Sequence, residues 1–185
     1  PTLQLFGAGV GGVVEAIKVF SGVVAKVLSP KVVTYNVTMK GLCKKGKLVQ
    51  SRAILGFLTK RGVYPNIITY NALIDGYCFH GKIDEAKKLL DVMLKDGIMP
   101  DVVTFSSLIH SYCKTKKVEK AMEIFHEMDL IGVDITPNVF TYSILIEALC
   151  RENRPHLAIK IFEDMQTRGV EPNVVTYDSL LDGLF

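Results

Sequence analysis

The stretch Ile67-Ile68-Thr69-Tyr70-Asn71 decides the fold, because similar stretches occur at four other places in the 185-residue chain. The copies begin at Val32, Val102, Val139 and Val174, so consecutive copies are 35, 35, 37 and 35 residues apart. A fixed period in this range is typical of solenoids, in which one supersecondary unit stacks on copies of itself. The sequence therefore predicts one continuous array of repeats.

Each repeat contains two stripes of apolar residues with helical spacing. If the first residue of each copy is position 1, the first stripe occupies positions 4, 7, 8 and 11, as in Tyr70, Leu73, Ile74 and Tyr77. The second occupies positions 17, 20, 24 and 27, as in Ile83, Ala86, Leu90 and Met93. Both stripes indicate amphipathic helices. We predict an all-α protein, a right-handed α-solenoid of helix-turn-helix repeats of about 35 residues.

Glycine and proline mark the ends of both helices. Position 15 is Gly46 or Gly81 in two repeats and Asn153 in another, whereas Lys116 breaks this pattern. Glycine and asparagine tolerate the left-handed conformation that ends a helix. The second helix is followed by a glycine and then by a proline that prevents its continuation, at Gly62, Gly97, Gly132 and Gly169 and at Pro65, Pro100, Pro137 and Pro172.

The period divides the chain into units. Complete repeats are predicted at 32–66, 67–101, 102–138 and 139–173, and the third has a two-residue turn insertion between Gly132 and Pro137. Residues 1–31 are predicted to be a degenerate, partial repeat with its second helix at about 11–27. Residues 174–185 are predicted to be the first helix of a truncated repeat. The sequence starts without methionine, so we expect it to be part of a longer array.

Composition excludes several classes of protein. No window of 18 apolar residues occurs, so no membrane span is expected. The four cysteines all occupy position 12, which places them too far apart for disulfides if the helices stack normally. No CxxC pair is present to suggest zinc, so we interpret the cysteines as packing residues in a reducing compartment.

The charges are distributed unevenly along the chain. Residues 1–74 carry ten lysines and arginines against one acid, and residues 75–185 carry twelve against eighteen. This asymmetry indicates either ordinary surface variation or a polyanionic partner held near the N-terminal half.

The other face of the first helix is polar. Positions 5, 9 and 13 share this face, and position 5 is always Asn or Ser in the complete repeats: Asn36, Asn71, Ser106 and Ser143. Position 13 is a cation in three of them: Lys44, Lys114 and Arg151. The residue that closes each repeat precedes the next first helix and is expected on the same side: Asn66, Asp101, Asn138 and Asn173. Stacking therefore predicts a stripe with one polar group per repeat, usually followed by a positive charge.

These motifs resemble pentatricopeptide repeats. The resemblance rests on the recurring Val-Val-Thr-Tyr-Asn, Gly-Tyr-Cys at 76–78, Asp-Glu-Ala at 84–86 and Gly-Ile-Met-Pro-Asp at 97–101, and it covers residues 11–185. The 35-residue spacing is similar to that of the P-type branch. The residues within each repeat are similar to those of the restorer-of-fertility group of plant organelles. The resemblance implies single-stranded RNA binding with one base per repeat and the protein N-terminus toward the RNA 5′ end.

The family's code uses position 5 with the closing residue. Asn36 with Asn66 implies C, or U less strongly, and Asn71 with Asp101 implies U. Ser106 with Asn138 and Ser143 with Asn173 both imply A. The expected RNA sequence is 5′-(C/U)UAA-3′, in which the short serines leave room for a purine.

Two further positions follow from the resemblance. Position 2 sandwiches the base between successive repeats and is here Val33, Ile68, Val103, Phe140 and Val175. Phe140 departs from the aliphatic norm, so it stacks on a base or crowds it. Lys44, Lys114 and Arg151 match the phosphate-contacting position, whereas Phe79 predicts a gap in backbone contact.

Two other interpretations remain open. A tetratricopeptide-like, peptide-binding scaffold shares residues of the second helix but has a 34-residue period and does not explain the pairing of position 5 with the closing residue. A structural component of an organellar ribonucleoprotein, such as the mitochondrial ribosome, would contact ribosomal RNA and proteins.

No enzyme, cofactor, metal or small-molecule substrate is expected, because the zinc-deaminase motifs are missing and the four histidines are scattered. The expected location is mitochondrial, with the chloroplast second.

Overall fold

The computed structural model describes residues 32–131 and 135–184. Within these ranges all regular secondary structure is α-helical, and none of the helices is long and apolar enough to cross a lipid bilayer. The helix predicted at about 11–27 and the start of the turn insertion after Gly132 lie outside the described residues.

The described residues form nine helices, which alternate between first and second helices of the repeats. The first helices are α1 (Val32–Lys44), α3 (Ile67–Phe79), α5 (Val102–Lys114), α7 (Val139–Arg151) and α9 (Val174–Leu184). The second helices are α2 (Leu48–Lys60), α4 (Ile83–Lys95), α6 (Val118–Ile131) and α8 (Pro155–Thr167).

The helices form two layers. Each first helix packs against the first helix of the next repeat, from α1 through α9 in order. Each second helix packs between its own first helix and the next one. The first helices therefore form one continuous layer and the second helices cover one side of it, which confirms the predicted solenoid.

The predicted apolar stripes form the core. In the repeat 67–101, Tyr70, Leu73 and Ile74 of the first helix are fully buried, as are Ala86 and Leu90 of the second. Tyr77, at the end of the first stripe, is also buried and its hydroxyl donates to the carbonyl of Leu48 in the preceding repeat. The hydrophobic contacts thus continue from one repeat to the next without a boundary.

The turn after each first helix uses a left-handed residue, including the one that sequence analysis did not anticipate. Gly46 and Gly81 have φ values of +71° and +69°, and Lys116 and Asn153 both have φ of +58°. A lysine pays a steric cost in this conformation that glycine does not. The turn therefore keeps the same left-handed geometry whichever residue occupies position 15, and Lys116 does not interrupt the repeat.

Two of the cysteines, Cys43 and Cys150, pack directly against a glycine of the next first helix. A Cβ atom added to Gly76 would lie 2.4 Å from Sγ of Cys43, and one added to Gly183 would lie 2.3 Å from Sγ of Cys150. All four cysteines are free thiols. Burial raises the pKa of Cys78 to about 11 and that of Cys113 to about 12, so both are protonated at neutral pH.

The second helices are joined to one another by ion pairs at their outer surface. Lys87 of α4 lies 2.8 Å from Glu127 of α6, and Arg168 near the end of α8 lies 2.5 Å from Asp129 of α6. Further pairs of the same kind join Arg52 to Glu85, Lys120 to Asp84 and Arg154 to Glu119. Five acids between Asp84 and Asp129 therefore have cationic partners within the second-helix layer.

Candidate nucleic-acid interface

The polar residues of interest meet where one first helix packs against the next. We call each such place a junction and define it by position 5 of one repeat, the closing residue of that repeat and position 3 of the next. The junctions consist of Asn36, Asn66 and Thr69; Asn71, Asp101 and Thr104; Ser106, Asn138 and Thr141; and Ser143, Asn173 and Thr176.

The closing residue caps the next first helix in every junction. Its side-chain Oδ1 accepts a hydrogen bond from the backbone N–H of the position-3 threonine, at distances of 3.1, 2.9, 3.0 and 3.0 Å along the chain. In the first, second and fourth junctions the threonine hydroxyl in return accepts from the backbone N–H of the closing residue, which completes a capping box. The helix start thus holds the closing side chain in one position.

The asparagine at position 5 bridges both other members of its junction. Asn71 Nδ2 donates to Asp101 Oδ1 at 3.1 Å, while Asn71 Oδ1 accepts from the hydroxyl of Thr104 at 2.6 Å. Asn36 makes the equivalent contacts with Asn66 and Thr69, at 3.5 and 2.7 Å. The first two junctions are therefore closed triads of hydrogen bonds, and Asn66 and Asp101 are half-buried.

The serine at position 5 reaches only the threonine. Ser106 Oγ lies 2.8 Å from Oγ1 of Thr141, and Ser143 Oγ lies 2.8 Å from Oγ1 of Thr176. The closing residues Asn138 and Asn173 are exposed, unlike their counterparts in the first two junctions. The shorter side chain thus leaves open space beside the closing amide.

The cap determines which atom of the closing residue faces outward. Only an oxygen can accept from a backbone N–H, so the capping atom of each asparagine is Oδ1 and its Nδ2 remains available as a donor. For Asp101, every hydrogen bond within the described residues uses Oδ1, so Oδ2 remains available as an acceptor. Asn66, Asn138 and Asn173 therefore present a donor, and Asp101 presents an acceptor.

The position-2 side chains form an exposed apolar row beside the junctions. Val33, Ile68, Val103, Phe140 and Val175 are between 52% and 65% exposed. Phe140 is also in an edge contact with His110 of the preceding repeat, with ring centroids 6.0 Å apart and ring planes nearly perpendicular. Large apolar groups at such exposure in every repeat suit flat, apolar ligand surfaces.

The predicted phosphate-contacting cations are not equivalent. Lys44, Lys114 and Arg151 are all exposed. Arg151 pairs with Glu147 one helical turn earlier, at 2.5 Å, whereas the described residues provide no ion pair for Lys44 or Lys114. Phe79 occupies the equivalent position of the second repeat and is 80% exposed.

Sequence reasoning missed the position-3 threonine. Its hydroxyl is buried in every junction and contacts position 5, the closing residue or both. The available signal was the repeated stretch itself, in which Thr34, Thr69, Thr104, Thr141 and Thr176 are the one residue that does not vary. Within the described ranges, the histidines, cysteines and acids form no group of three that could hold a metal ion.

The fold and these junctions define a class of protein, a helical-repeat solenoid that presents one polar pair per repeat along a single face. A family model for the PPR repeat family matches residues 30–78, 65–114, 100–151 and 137–185. The chain therefore belongs to the PPR (pentatricopeptide) repeat family. Among the curated proteins nothing matches the chain.

Solved structures with this fold include RNA-bound and nuclear proteins. The chain is 31% identical to the maize PPR protein PPR10, with a TM-score of 0.76 over 91% of this chain and 24% of that protein. PPR10 in complex with an 18-nt psaJ RNA element is 26% identical, with a TM-score of 0.71 over 90% of this chain and 24% of that protein. The nuclear proteinaceous RNase P 2 of A. thaliana is 16% identical, with a TM-score of 0.67 over 84% of this chain and 35% of that protein. This similarity shows the fold alone. The chain thus spans about a quarter of the length of PPR10.

Proposed function

We propose that the chain binds single-stranded RNA sequence-specifically, with one base at each junction and the expected sequence 5′-(C/U)UAA-3′. The observation that carries the proposal is the recurrence, at four junctions, of a capped polar pair beside an exposed apolar side chain. A base offers a flat apolar face and a polar edge, and these are the two surfaces that each junction matches. The PPR10–RNA complex supports RNA as the ligand class.

The contacts at the second junction support a preference for U. Asp101 presents an acceptor and Asn71 has a second Nδ2 proton free for a ligand. Uracil carries an N3–H donor between two carbonyl acceptors, so it satisfies both groups. Cytosine has an unprotonated N3 and would leave Asp101 facing a lone pair, which is repulsive.

The other junctions suit bases with an unprotonated ring nitrogen. Asn36 and Asn66 both present N–H donors, which match N3 and the carbonyl of cytosine. In the serine junctions, the outward Nδ2 of Asn138 or Asn173 donates to a ring nitrogen such as N1 of adenine. The hydroxyl of Ser106 or Ser143 retains lone pairs that accept from the adenine amino group, and the open space beside it accommodates a purine.

We further propose that the chain belongs to the P-type branch and is similar to the restorer-of-fertility-like group. Its repeat spacing of 35 residues, with one exception, supports this. The proposed setting is RNA processing, stabilisation or translation in an organelle, the mitochondrion before the chloroplast. Fluorescent-protein fusion of the full-length protein tests the location, and a nuclear or cytosolic signal would contradict it.

The binding proposal is tested by fluorescence anisotropy with labelled RNA and the full-length protein. Single-stranded RNA containing 5′-CUAA-3′ is compared with the same RNA in which each of the four bases is changed in turn. We expect each mismatch, other than U at the first base, to weaken binding by about 1–3 kcal/mol, the range for direct base contacts. Equal affinity for all variants would contradict base recognition, and preference for structured ribosomal RNA would favour a structural component of a ribonucleoprotein.

A further inference from the structure

We propose that the buried threonine at position 3 is a third specificity-determining residue, because its hydroxyl fixes the orientation of the position-5 amide. The proposal rests on the proposed function and assigns a positioning residue to it. The threonine does not itself contact the base. The base contacts are made by position 5 and the closing residue. The threonine acts by deciding whether asparagine offers a donor or an acceptor to the base.

The first junction shows how the hydroxyl acts. Oγ1 of Thr69 accepts from the backbone N–H of Asn66 at 3.2 Å, so its single proton is available for donation. The nearest acceptor is Oδ1 of Asn36 at 2.7 Å, closer than Oδ1 of Asn66 at 3.0 Å. This bond turns the amide oxygen of Asn36 into the protein and leaves its Nδ2 protons facing outward and toward Asn66.

Loss of the hydroxyl would free the amide of Asn36 to rotate by half a turn, which exchanges its donor and acceptor. The remaining bond from Asn36 Nδ2 to Asn66 Oδ1 is long, at 3.5 Å, and holds the amide weakly. In the rotated form Asn36 presents an acceptor beside the donor of Asn66. Uracil matches this pair with its N3–H and a carbonyl, and cytosine matches it with its amino group and N3, so both bases fit. The preference for C over U at the first base should therefore decrease when the hydroxyl is removed.

The second junction provides a matched control. Asn71 Nδ2 donates to the carboxylate of Asp101 at 3.1 Å, and rotation of this amide would place its oxygen against a charged oxygen. The carboxylate therefore holds Asn71 even without the hydroxyl of Thr104. Thr69 and Thr104 are equally buried and accept the same capping hydrogen bond, so removal of either hydroxyl has the same direct structural consequence.

The experiment compares Thr69→Val with Thr104→Val in the full-length protein. Relative affinities are measured for RNAs with C or U at the first base and with U or C at the second. One neutral hydrogen bond corresponds to about a 3- to 10-fold preference, so we expect Thr69→Val to reduce the C-to-U ratio by about this factor. We expect Thr104→Val to change the U-to-C ratio by less than about two-fold, and Thr69→Ser to restore the original ratio.

The outcomes separate this inference from the function on which it rests. If both valine variants weaken binding to all RNAs without changing either ratio, threonine is only a capping residue and the inference is wrong. If the unsubstituted protein shows no base preference, the proposed function fails and the inference with it. Thermal unfolding checks that the variants fold, and Thr69→Ala with Thr104→Ala repeats the comparison should a valine variant not fold.

Discussion

In the two N-terminal junctions the side chain at position 5 reaches across to the closing residue, whereas in the two C-terminal junctions it stops at the threonine. The helix cap is the same in all four, with Oδ1 of the closing residue 2.9–3.1 Å from the threonine N–H. The difference in these contacts therefore lies in the side chain at position 5, and the closing residue is half-buried beside asparagine and exposed beside serine.

This comparison separates two properties that a ligand would experience. The length of the position-5 side chain sets the space beside the junction, and the closing residue sets whether a donor or an acceptor faces that space. Under the proposed function, the first property distinguishes purine from pyrimidine and the second distinguishes bases with and without an imino proton. Single substitutions can test the two properties independently.

The largest effect is expected from Ser106→Asn, which converts a serine junction into the type found in the first repeat. Position 5 accommodates asparagine at equal burial in Asn36, 7% exposed against 6% for Ser106, so the fold should be retained. We expect the third base preference to change from A to a pyrimidine, by about 1–3 kcal/mol. Competition binding with the four possible bases at that place measures the change.

The reverse substitution, Asn36→Ser, is the matched control. It should open the first junction and shift the first base from C or U toward A, with the other three bases unaffected. A general loss of affinity in both variants, without a change in base ranking, would show that position 5 supports helix packing only.

Most of the fold could be predicted from the sequence because every signal occurs several times in register. The apolar stripes, the glycine turns and the helix pairs each recur, so a single deviation such as Lys116 does not alter the structure. Contacts between repeats were harder to anticipate. The role of Thr69 depends on Asn36, 33 residues earlier, and the pairing of Arg151 depends on Glu147, the residue at position 9 of the same repeat.

A smaller effect is expected from Asp101→Asn, which changes the polarity of the second junction without changing its shape. Asparagine and aspartate are about equally good N-caps, so the free energy of unfolding should change by less than about 0.5 kcal/mol. The cap would hold Oδ1 inward and present Nδ2, a donor, in place of the acceptor. We expect a shift from U toward C at the second base of about 1 kcal/mol.

Competition between RNAs with U or C at that place measures the shift, and thermal unfolding confirms that the variant is folded. The preferences at the other three bases serve as internal controls. Equal affinity for U and C in both proteins would contradict the assignment of Asp101 to base recognition and would favour the scaffold interpretation.

The smallest effect is expected from the cations, because they should act on all RNA sequences alike. Each single-stranded phosphate contact contributes about 0.7 to the slope of log K against log salt concentration. Lys44→Ala and Lys114→Ala should each reduce the slope by about this amount, since both lysines are exposed. Arg151→Ala should reduce it less, because the guanidinium already pairs with Glu147.

Phe79→Lys tests the same contribution to salt dependence by adding a cation instead of removing one. Phe79 is exposed at the position where the neighbouring repeats carry Lys44 and Lys114, so a lysine there can be accommodated without repacking the core. If the phosphate backbone passes each repeat at this position, the substitution should raise the salt slope by about 0.7. Base preferences should stay the same, which anisotropy titrations at several salt concentrations can verify. A slope that responds neither to Phe79→Lys nor to Lys44→Ala would mean that this row of side chains is a solvated surface and that the RNA backbone lies elsewhere.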